Sequence, residues 1–367
     1  MSDIRLLNNK YGRNISGLPN GEKISLGKPG KPLVIWFNHW FQAIVDTIND
    51  IYATFDNIEI IASNTRHGCV YQSFVDEFFV EPDIDGIDYV NYALKICRDY
   101  NVDVFIPKKH SSDIADNIGY FDDIGVKVLC EKASVIHAFD SKVHAYSTLR
   151  QYGYDKIPYY KLITSVKDFK EGYKEVVSNG RIPCIKYDSD EGAQSFRVIA
   201  DGWQKASSLN EMLMNLVTPY DMHKILEDME SSGTFKPLIM MEKLSNPEVS
   251  VDCYNSPTSG FLAIPRFKMG GRVKEIRLDT RILDDCKRLL EIFKFKSAFN
   301  VQYRWQDDKP YLLEVNPRIS GGTQISNLSG IHIPIQMLSD AVGAGIIQKE
   351  ENVREIRVSE YETPVEI

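Results

Sequence analysis

No stretch of this 367-residue sequence is apolar for long enough to cross a bilayer. The longest candidate, LVIWFNHWFQAIV from Leu33, covers 13 residues and is interrupted by Asn38, His39 and Gln42, whereas a spanning helix needs about 20 mainly apolar residues. The opening MSDIRLLNNKYGRN lacks the apolar core of a secretory signal. Cysteine is scarce, with six residues at 69, 97, 130, 184, 253 and 286, never closer than 28 apart. That spacing excludes a CxxC clamp and does not suit a disulfide framework, so a reducing cytoplasm is the expected compartment. Basic charge is not in excess either: 43 Lys and Arg stand against 51 Asp and Glu, a formal charge of −8. Duplex binding rests on many cations neutralising phosphates, so neither nucleic acid nor a membrane is an expected partner. Repeats and low-complexity segments are missing too. What remains, 43% apolar and 26% charged residues, is the composition of soluble globular domains, in a chain long enough for two or three of them.

The pattern along the chain has two characters. PLVIWFN, IEIIASN, DVFIPKK and VKVLC read as short apolar strands. They alternate with helical stretches at 39–55, 88–100 and about 113–121, which predicts βαβ units and an open parallel sheet. The first thirty residues read as an irregular extension or hairpin. One long helical segment is expected from Ala133 to a glycine stop before Pro158. Further on, strands in IPYYKLITSVKDF, IPCIKYDS and at 195–200 go with helices near 166–179, 208–216 and 221–230. PLIMMEKL, VSVDCYN, GFLAIPRFK, SAFNVQYRW and YLLEVNPR then look antiparallel, with helices near 279–295 and 331–345. Residues after Gln348 are charged and peripheral.

Chemistry concentrates in FNVQYRWQDDKPYLLEVNPRISGG, from Phe299. Two adjacent strands joined at about Gln306 to Lys309 would set Gln302 beside Glu314 and Asn316. Strand alternation would turn Glu314, Asn316 and Arg318 to one face for as long as the strand lasts. A carboxylate, two amide oxygens and an arginine suit Mg²⁺-bound polyphosphate, because Mg²⁺ takes few protein oxygens and completes its shell with waters and phosphates. Short of that, Glu314 and Arg318 would be a surface ion pair and Asn-Pro a turn.

This segment resembles the carboxyl-terminal core of the ATP-grasp superfamily, most closely its carbamoyl-phosphate-synthetase-like branch. The resemblance runs from about Leu33 to Gly343. It implies an N-terminal open parallel sheet followed by a two-subdomain ATP-grasp fold, α/β and α+β in class. The implied divisions are 1–130, 131–235 (linking helix and lid), 236–350 (metal-bearing core) and a tail at 351–367. It matches the family's phosphate-binding lysines to Lys142, where Ser141 replaces the usual Asp, and to Lys186 in IPCIKYDS. In LIMMEKLSNPEVSVDCY it matches the adenine-reading hinge to Glu242 with the main chain of Lys243 and Leu244, and the ribose carboxylate to Glu248. Arg266 and Lys268, in AIPRFK, could reach a substrate carboxylate if their strand runs beside the metal strand. The glycine-rich lid loop of the family is replaced by DSDEGAQSFRV, where Asp188, Asp190 and Glu191 precede a lone Gly192. Those acids would repel a triphosphate unless they point outward or meet a cationic substrate.

The implied reaction is ATP-dependent joining of a small carboxylic acid to an amine, an amino acid or peptide among the candidates, through an acyl phosphate. ATP and Mg²⁺ (Mn²⁺ as the alternative ion) are the implied cofactors. Glu314, Asn316 and, more weakly, Gln302 would hold the metal, Lys142 and Lys186 the phosphates, and Arg318 and Arg266 the reacting groups. Two alternatives stay open: phosphorylation of bicarbonate or carbamate, and a non-catalytic ATP-binding regulatory module. Full carbamoyl phosphate synthesis would need two such units, and one is found. The first strand ends in Asn38-His39-Trp40 rather than the G-x-G-x-x-G turn of dinucleotide folds, so a nicotinamide cofactor is not expected. Asn38, His39, Asn64, Arg66, Lys108 and His110 stand at strand ends of the first sheet and take no assigned role. Should the chain self-associate, a homodimer is the expected form.

Overall fold

The computed structural model describes residues 23–189, 195–200 and 215–360. Asp190, Glu191 and Gly192, most of the helix expected at 208–216 and the first 22 residues of the head lie outside the described residues. The chain forms two compact units, one of Met1–His137, Val249–Gln302 and Val315–Ile367, the other of Ala138–Glu248 and Tyr303–Glu314.

The first unit opens with β1 (Ile24–Ser25), β2 (Leu33–Asn38), β3 (Phe55–Asp56), β4 (Ile58–Asn64), β5 (Glu77–Val80), β6 (Val104–Pro107) and β7 (Lys127–Val128). β1 pairs in parallel with β3, so order begins before Leu33. The remaining five make a parallel sheet in the order β5-β4-β2-β6-β7. It is buried on both faces, as parallel sheets are. Ile35, Phe37, Ile60 and Ala62 enter one core, while Val34, Trp36 and Ile61 enter the other with the helix Gly86–Asp99. The chain runs outward from β2 through β4 to β5 and then returns to β6 on β2's other side. The reversal between β2 and β6 is a topological switch point, where open α/β sheets bind ligands beyond the strand ends.

Three expectations change here. The helix expected from His39 begins only at Ile44, as α1 (Ile44–Thr54), because His39 leaves the strand with φ 49°. After α2 (Gly86–Asp99), the stretch at 113–121 is two short helices, α3 (Ser111–Asp116) and α4 (Ile118–Asp123), parted at Asn117. The long helix from Ala133 is also two, α5 (Ala133–Ala138) and α6 (Lys142–Gln151). Ser141 ends the continuity: it takes extended backbone and its Oγ accepts the His144 N–H at 2.9 Å, capping α6. Serine is among the residues best suited to that N-cap position. Ser141→Ala is expected to cost about 1 kcal/mol, read as a lower urea midpoint with an unchanged slope.

The second unit holds β8 (Tyr160–Ile163), β9 (Pro183–Tyr187), β10 (Arg197–Ile199), β11 (Leu216–Val217) and β12 (Leu238–Glu242), in the order β11-β10-β9-β12-β8. The expected helical stretch therefore gives way to strand by Leu216. Helices α7 (Val166–Ser178) and α8 (Pro219–Ser231) cover one face, where Phe169, Val176, Met222 and Leu226 meet Ile163, Ile185 and Met240.

A third sheet joins β13 (Ser245–Ser256), β14 (Gly260–Gly270), β15 (Val273–Ile276), β16 (Phe299–Gln306), β17 (Lys309–Asn316) and β18 (Ile356–Ser359), in the order β17-β16-β13-β14-β15-β18. β14 pairs with β15, and β15 with β18, both antiparallel. The charged tail thus supplies an edge strand. Asp307 and Asp308 join β16 to β17 with φ of 48° and 59°, the two positive values of a type I′ hairpin turn. Helices α9 (Thr280–Phe293), α10 (Thr323–Asn327) and α11 (Ile333–Val342) complete the fold.

Candidate active site

In the second unit Lys142 meets Glu314, and Lys186 lies within electrostatic reach of Lys142. Lys142 opens α6 and its Nζ donates to Glu314 Oε2 and to the Leu313 carbonyl, both at 2.9 Å. Burial holds the Lys142 ammonium below its usual range, Glu314 pulls it back up, and the charge of Lys186 pushes it down again. Lys186 itself is buried on β9, opposite Ile239 of β12. The charge of Lys186 acting on the Lys142 ammonium is repulsive, and a polyanion bound beside both would offset it.

Asp188 corrects one expectation. Its Oδ1 accepts the Val143 N–H at 2.9 Å and its carbonyl faces the Lys142 N–H at 3.4 Å. The carboxylate is thereby spent on the N-terminus of α6, where helix dipole and open N–H groups favour it, rather than waiting for a cationic substrate.

The hinge residues are held by their own neighbours. Glu242 accepts the Tyr159 N–H at 2.9 Å and Gln306 Nε2 at 3.1 Å, with Arg181 3.7 Å away. The Lys243 N–H goes to the Ile182 carbonyl at 2.7 Å, and Leu244 is buried. Glu248 pairs with Arg304 Nη2 at 2.7 Å.

In the first unit, Asn316 ends β17 and Pro317 stops the strand. Arg318 is therefore not placed by strand alternation. A turn brings it back, its N–H meeting the Asn316 carbonyl at 2.8 Å and its Nη2 lying 3.5 Å from Asn316 Oδ1. Its Nη1 donates to the Ile319 carbonyl at 3.1 Å and its guanidinium carbon lies 5.0 Å from the Phe41 ring centroid. Gln302 points its amide at Asn300 Oδ1, 3.5 Å away.

Arg266 occupies a separate, buried network. Its Nη2 meets Asp252 Oδ2 at 3.2 Å, Ser250 Oγ at 3.1 Å and Ser320 Oγ at 2.9 Å. Asp252 also accepts Asn300 Nδ2 at 2.8 Å and Ser326 Oγ at 2.6 Å. The network ties β13, β14 and β16 to the loop after Arg318. Lys268, two residues further along β14, is exposed to solvent.

Sequence reasoning missed Tyr146, Arg304 and Asp252. Tyr146 lies one turn after Lys142 and its hydroxyl donates to the Leu313 carbonyl at 2.8 Å, beside the Lys142 contact. Its i, i+4 spacing from Lys142 was the available signal. Arg304 follows Gln302 by two residues, so strand alternation pointed to it as well. Asp252 was visible only as one letter of LIMMEKLSNPEVSVDCY.

In the second unit the groups that meet are one carboxylate and the Lys142 ammonium, with the Lys186 charge in electrostatic reach of that ammonium, a set that suits a hard cation sharing its shell with a polyphosphate. Among the described residues no three His, Cys, Asp or Glu side chains gather as a metal cage. Residues 234–364 match the family model described as ATP-grasp in the biosynthetic pathway with Ter operon. No curated protein matches the sequence significantly. Among solved structures, N5-carboxyaminoimidazole synthetase from Staphylococcus aureus complexed with ADP superposes with a TM-score of 0.65 at 10% identity, over 91% of this chain and 82% of that one. Biotin carboxylase from Campylobacter jejuni, a beta-gamma-ATP complex, gives 0.62 at 14% identity, over 88% and 73%. The biotin carboxylase domain dimer of Hydrogenobacter thermophilus 2-oxoglutarate carboxylase, with MgADP, ADP and bicarbonate, gives 0.60 at 14% identity, over 88% and 72%. The chain therefore carries the ATP-grasp fold, with a match to an ATP-grasp family over residues 234–364.

Proposed function

We propose that the protein is an ATP-dependent carboxylate–amine ligase of small molecules that works through an acyl phosphate. A carboxylate oxygen takes the γ-phosphoryl group, breaking its bond to ADP. The amine then attacks the acyl carbon, phosphate leaves, and the amine gives up a proton. The observation that carries this reading is the meeting of Lys142 with Glu314, a cation beside a hard oxygen donor, with Lys186 in electrostatic reach of Lys142.

Such chemistry asks for positioning and charge stabilisation rather than a covalent nucleophile. Glu314 and Asn316, alternate residues of β17, would hold Mg²⁺ with Gln302 as a weaker contributor. Bound Mg²⁺ supplies charge neutralisation at the phosphates. Lys142 and Lys186 bind phosphate oxygens. Arg318 stabilises charge on the transferring group or the tetrahedral intermediate. Glu242 braces the adenine hinge through Tyr159 and Gln306, leaving the recognition of the base to the main chain at 243–244. Glu248, oriented by Arg304, takes the ribose hydroxyls. Arg266 acts through position, holding the loop that follows Arg318.

Bicarbonate as the acid is the second reading, favoured by the bicarbonate in the Hydrogenobacter thermophilus complex. ADP release from Mg-ATP over a panel of acids, bicarbonate included, and amines tests both. Release that requires an acid and an amine together supports the ligase, and release with bicarbonate alone supports the second reading. Tight ATP binding with no release under any pair contradicts both and leaves a binding module.

A further inference from the structure

Helix α6 carries Lys142, Tyr146 and Arg150 at successive turns, so the three share one face. Lys142 Nζ and the Tyr146 hydroxyl converge on a single acceptor, the Leu313 carbonyl, at 2.9 and 2.8 Å. The hydroxyl also lies 3.3 Å from the Leu312 carbonyl, while the lysine also donates to Glu314 Oε2 at 2.9 Å. The Tyr146 ring packs on Tyr160, with centroids 5.2 Å apart, and the Arg150 guanidinium carbon stands 4.5 Å from that same Tyr160 ring. Tyr146 is 1% exposed, which shields its hydroxyl from solvent. Burial, and after it the Glu314 charge, holds its ionisation well above the usual phenol range, so it stays a donor.

The two donors stand differently toward a nucleotide. Lys142 is a compact charge on a flexible stem, and two demands would draw it away from its present partners: a hard cation taking Glu314, and a phosphate oxygen taking the ammonium. Tyr146 answers neither demand. It is neutral, its stem is short, and its ring is packed against Tyr160, so the hydroxyl keeps its place on Leu313. Drawing a donor off a buried carbonyl costs free energy, and a second donor already in place lowers that cost. With Tyr146 present the lysine can turn while the carbonyl stays served. Without it, the carbonyl has Lys142 to itself and holds the ammonium where it stands.

We propose that Tyr146 is a positioning residue for Lys142, and that by sharing the Leu313 carbonyl it makes the ammonium available to a phosphate oxygen of the nucleotide. The inference rests on the reading of Lys142 and Glu314 as a Mg-nucleotide site, and it adds the side chain on which the lysine's release depends. The benefit belongs to the bound state. In the free protein Lys142 already serves the carbonyl, so loss of the hydroxyl is felt chiefly once the lysine has turned. In Lys142→Met the carbonyl relies on Tyr146 in the free and bound states alike, and the difference between them disappears. A residue that merely supported the fold would show no such dependence on Lys142.

A double-mutant cycle tests the proposal: calorimetric titration with Mg-ADP of the 367-residue chain, of Tyr146→Phe, of Lys142→Met and of the double variant, with a urea titration of each. Phenylalanine keeps the ring that packs on Tyr160 and removes only the donor. Tyr146→Phe is expected to weaken Mg-ADP about 5-fold, the worth of one neutral hydrogen bond. In the Lys142→Met background the same change should leave the affinity within about 2-fold, the scale of independent sites, while lowering the urea midpoint more than it does with Lys142 present. Equal losses of affinity in the two backgrounds, or no loss in either, overturns the inference. So does a Tyr146→Phe chain that fails to fold in both, because the hydroxyl would then serve the fold whatever Lys142 does. Mg-ADP that binds the unmodified protein and weakens in Lys142→Met confines any such failure to Tyr146. Mg-ADP that does not bind, or binds Lys142→Met as tightly, overturns the nucleotide-site reading and this inference with it.

Discussion

Glu314→Gln is expected to cut Mg-ATP-dependent ADP release at least ~100-fold, the scale on which removal of a single charge-stabilising group acts, while the protein stays folded. The amide keeps an oxygen where Lys142 Nζ now meets Glu314 Oε2 at 2.9 Å, so the lysine retains an acceptor as well as the Leu313 carbonyl. What disappears is the negative charge, the one feature a hard cation needs there. The same loss removes the upward pull of Glu314 on the Lys142 ammonium, so Lys142 gives up its proton more readily in the variant. Steady-state ADP release together with a urea titration separates the outcomes. Turnover within about 3-fold of the unchanged protein would deny Glu314 a metal role, since a lost second-shell partner alone typically costs 10-fold or more.

Gly322→Ala carries the second large effect, through packing rather than chemistry. A Cβ at Gly322 would stand 1.9 Å from Arg266 Nη1 and 2.9 Å from its guanidinium carbon. The obstructing atoms end a flexible side chain, but Arg266 is only 5% exposed and has no solvent to retreat into. Its displacement strips a buried charge partner from Asp252, a loss of about 3 kcal/mol, the low end for a broken buried pair because Asn300 and Ser326 still donate to that carboxylate. The loop that begins at Arg318 would lose its anchor at Ser320, so activity falls with stability. A double-mutant cycle with Arg266→Met checks the cause. In that background the alanine should cost far less, and an unchanged cost would place the effect elsewhere.

The parts of this fold that could be read from the sequence are those set by local pattern. IEIIASN forms β4 with the expected bounds, because its apolar centre, Ile60 to Ala62, is buried on both faces of a parallel sheet. Glu77–Val80 escaped notice because only two of its four residues are even half-buried, leaving no pattern to see. The break before α6 escaped for another reason. Asp140 and Ser141 fit a helix surface as well as a cap, and only the extended backbone at Ser141 decides.

The site divides along the same line. Glu314, Asn316 and Lys142 could be singled out because a motif or its order in the chain marks them. Arg318 was singled out for a partly mistaken reason, the strand having ended two residues earlier. The contacts of Tyr146, Arg304 and Asp252 are to partners 167, 56 and 48 residues away; local spacing marked the first two as neighbours of Lys142 and Gln302 but did not name those partners.

The central claim is that Lys142, Lys186 and Glu314 form a Mg²⁺-dependent site for the phosphates of a nucleotide. Calorimetric titration of the 367-residue chain with ADP, first with Mg²⁺ and then after chelation, tests it most directly, with Lys142→Met in parallel. The account predicts saturable binding that weakens on chelation and falls at least ~10-fold in Lys142→Met, one charged hydrogen bond to phosphate being lost. ADP that binds equally well without Mg²⁺ and in Lys142→Met, or that does not bind at all, would contradict it.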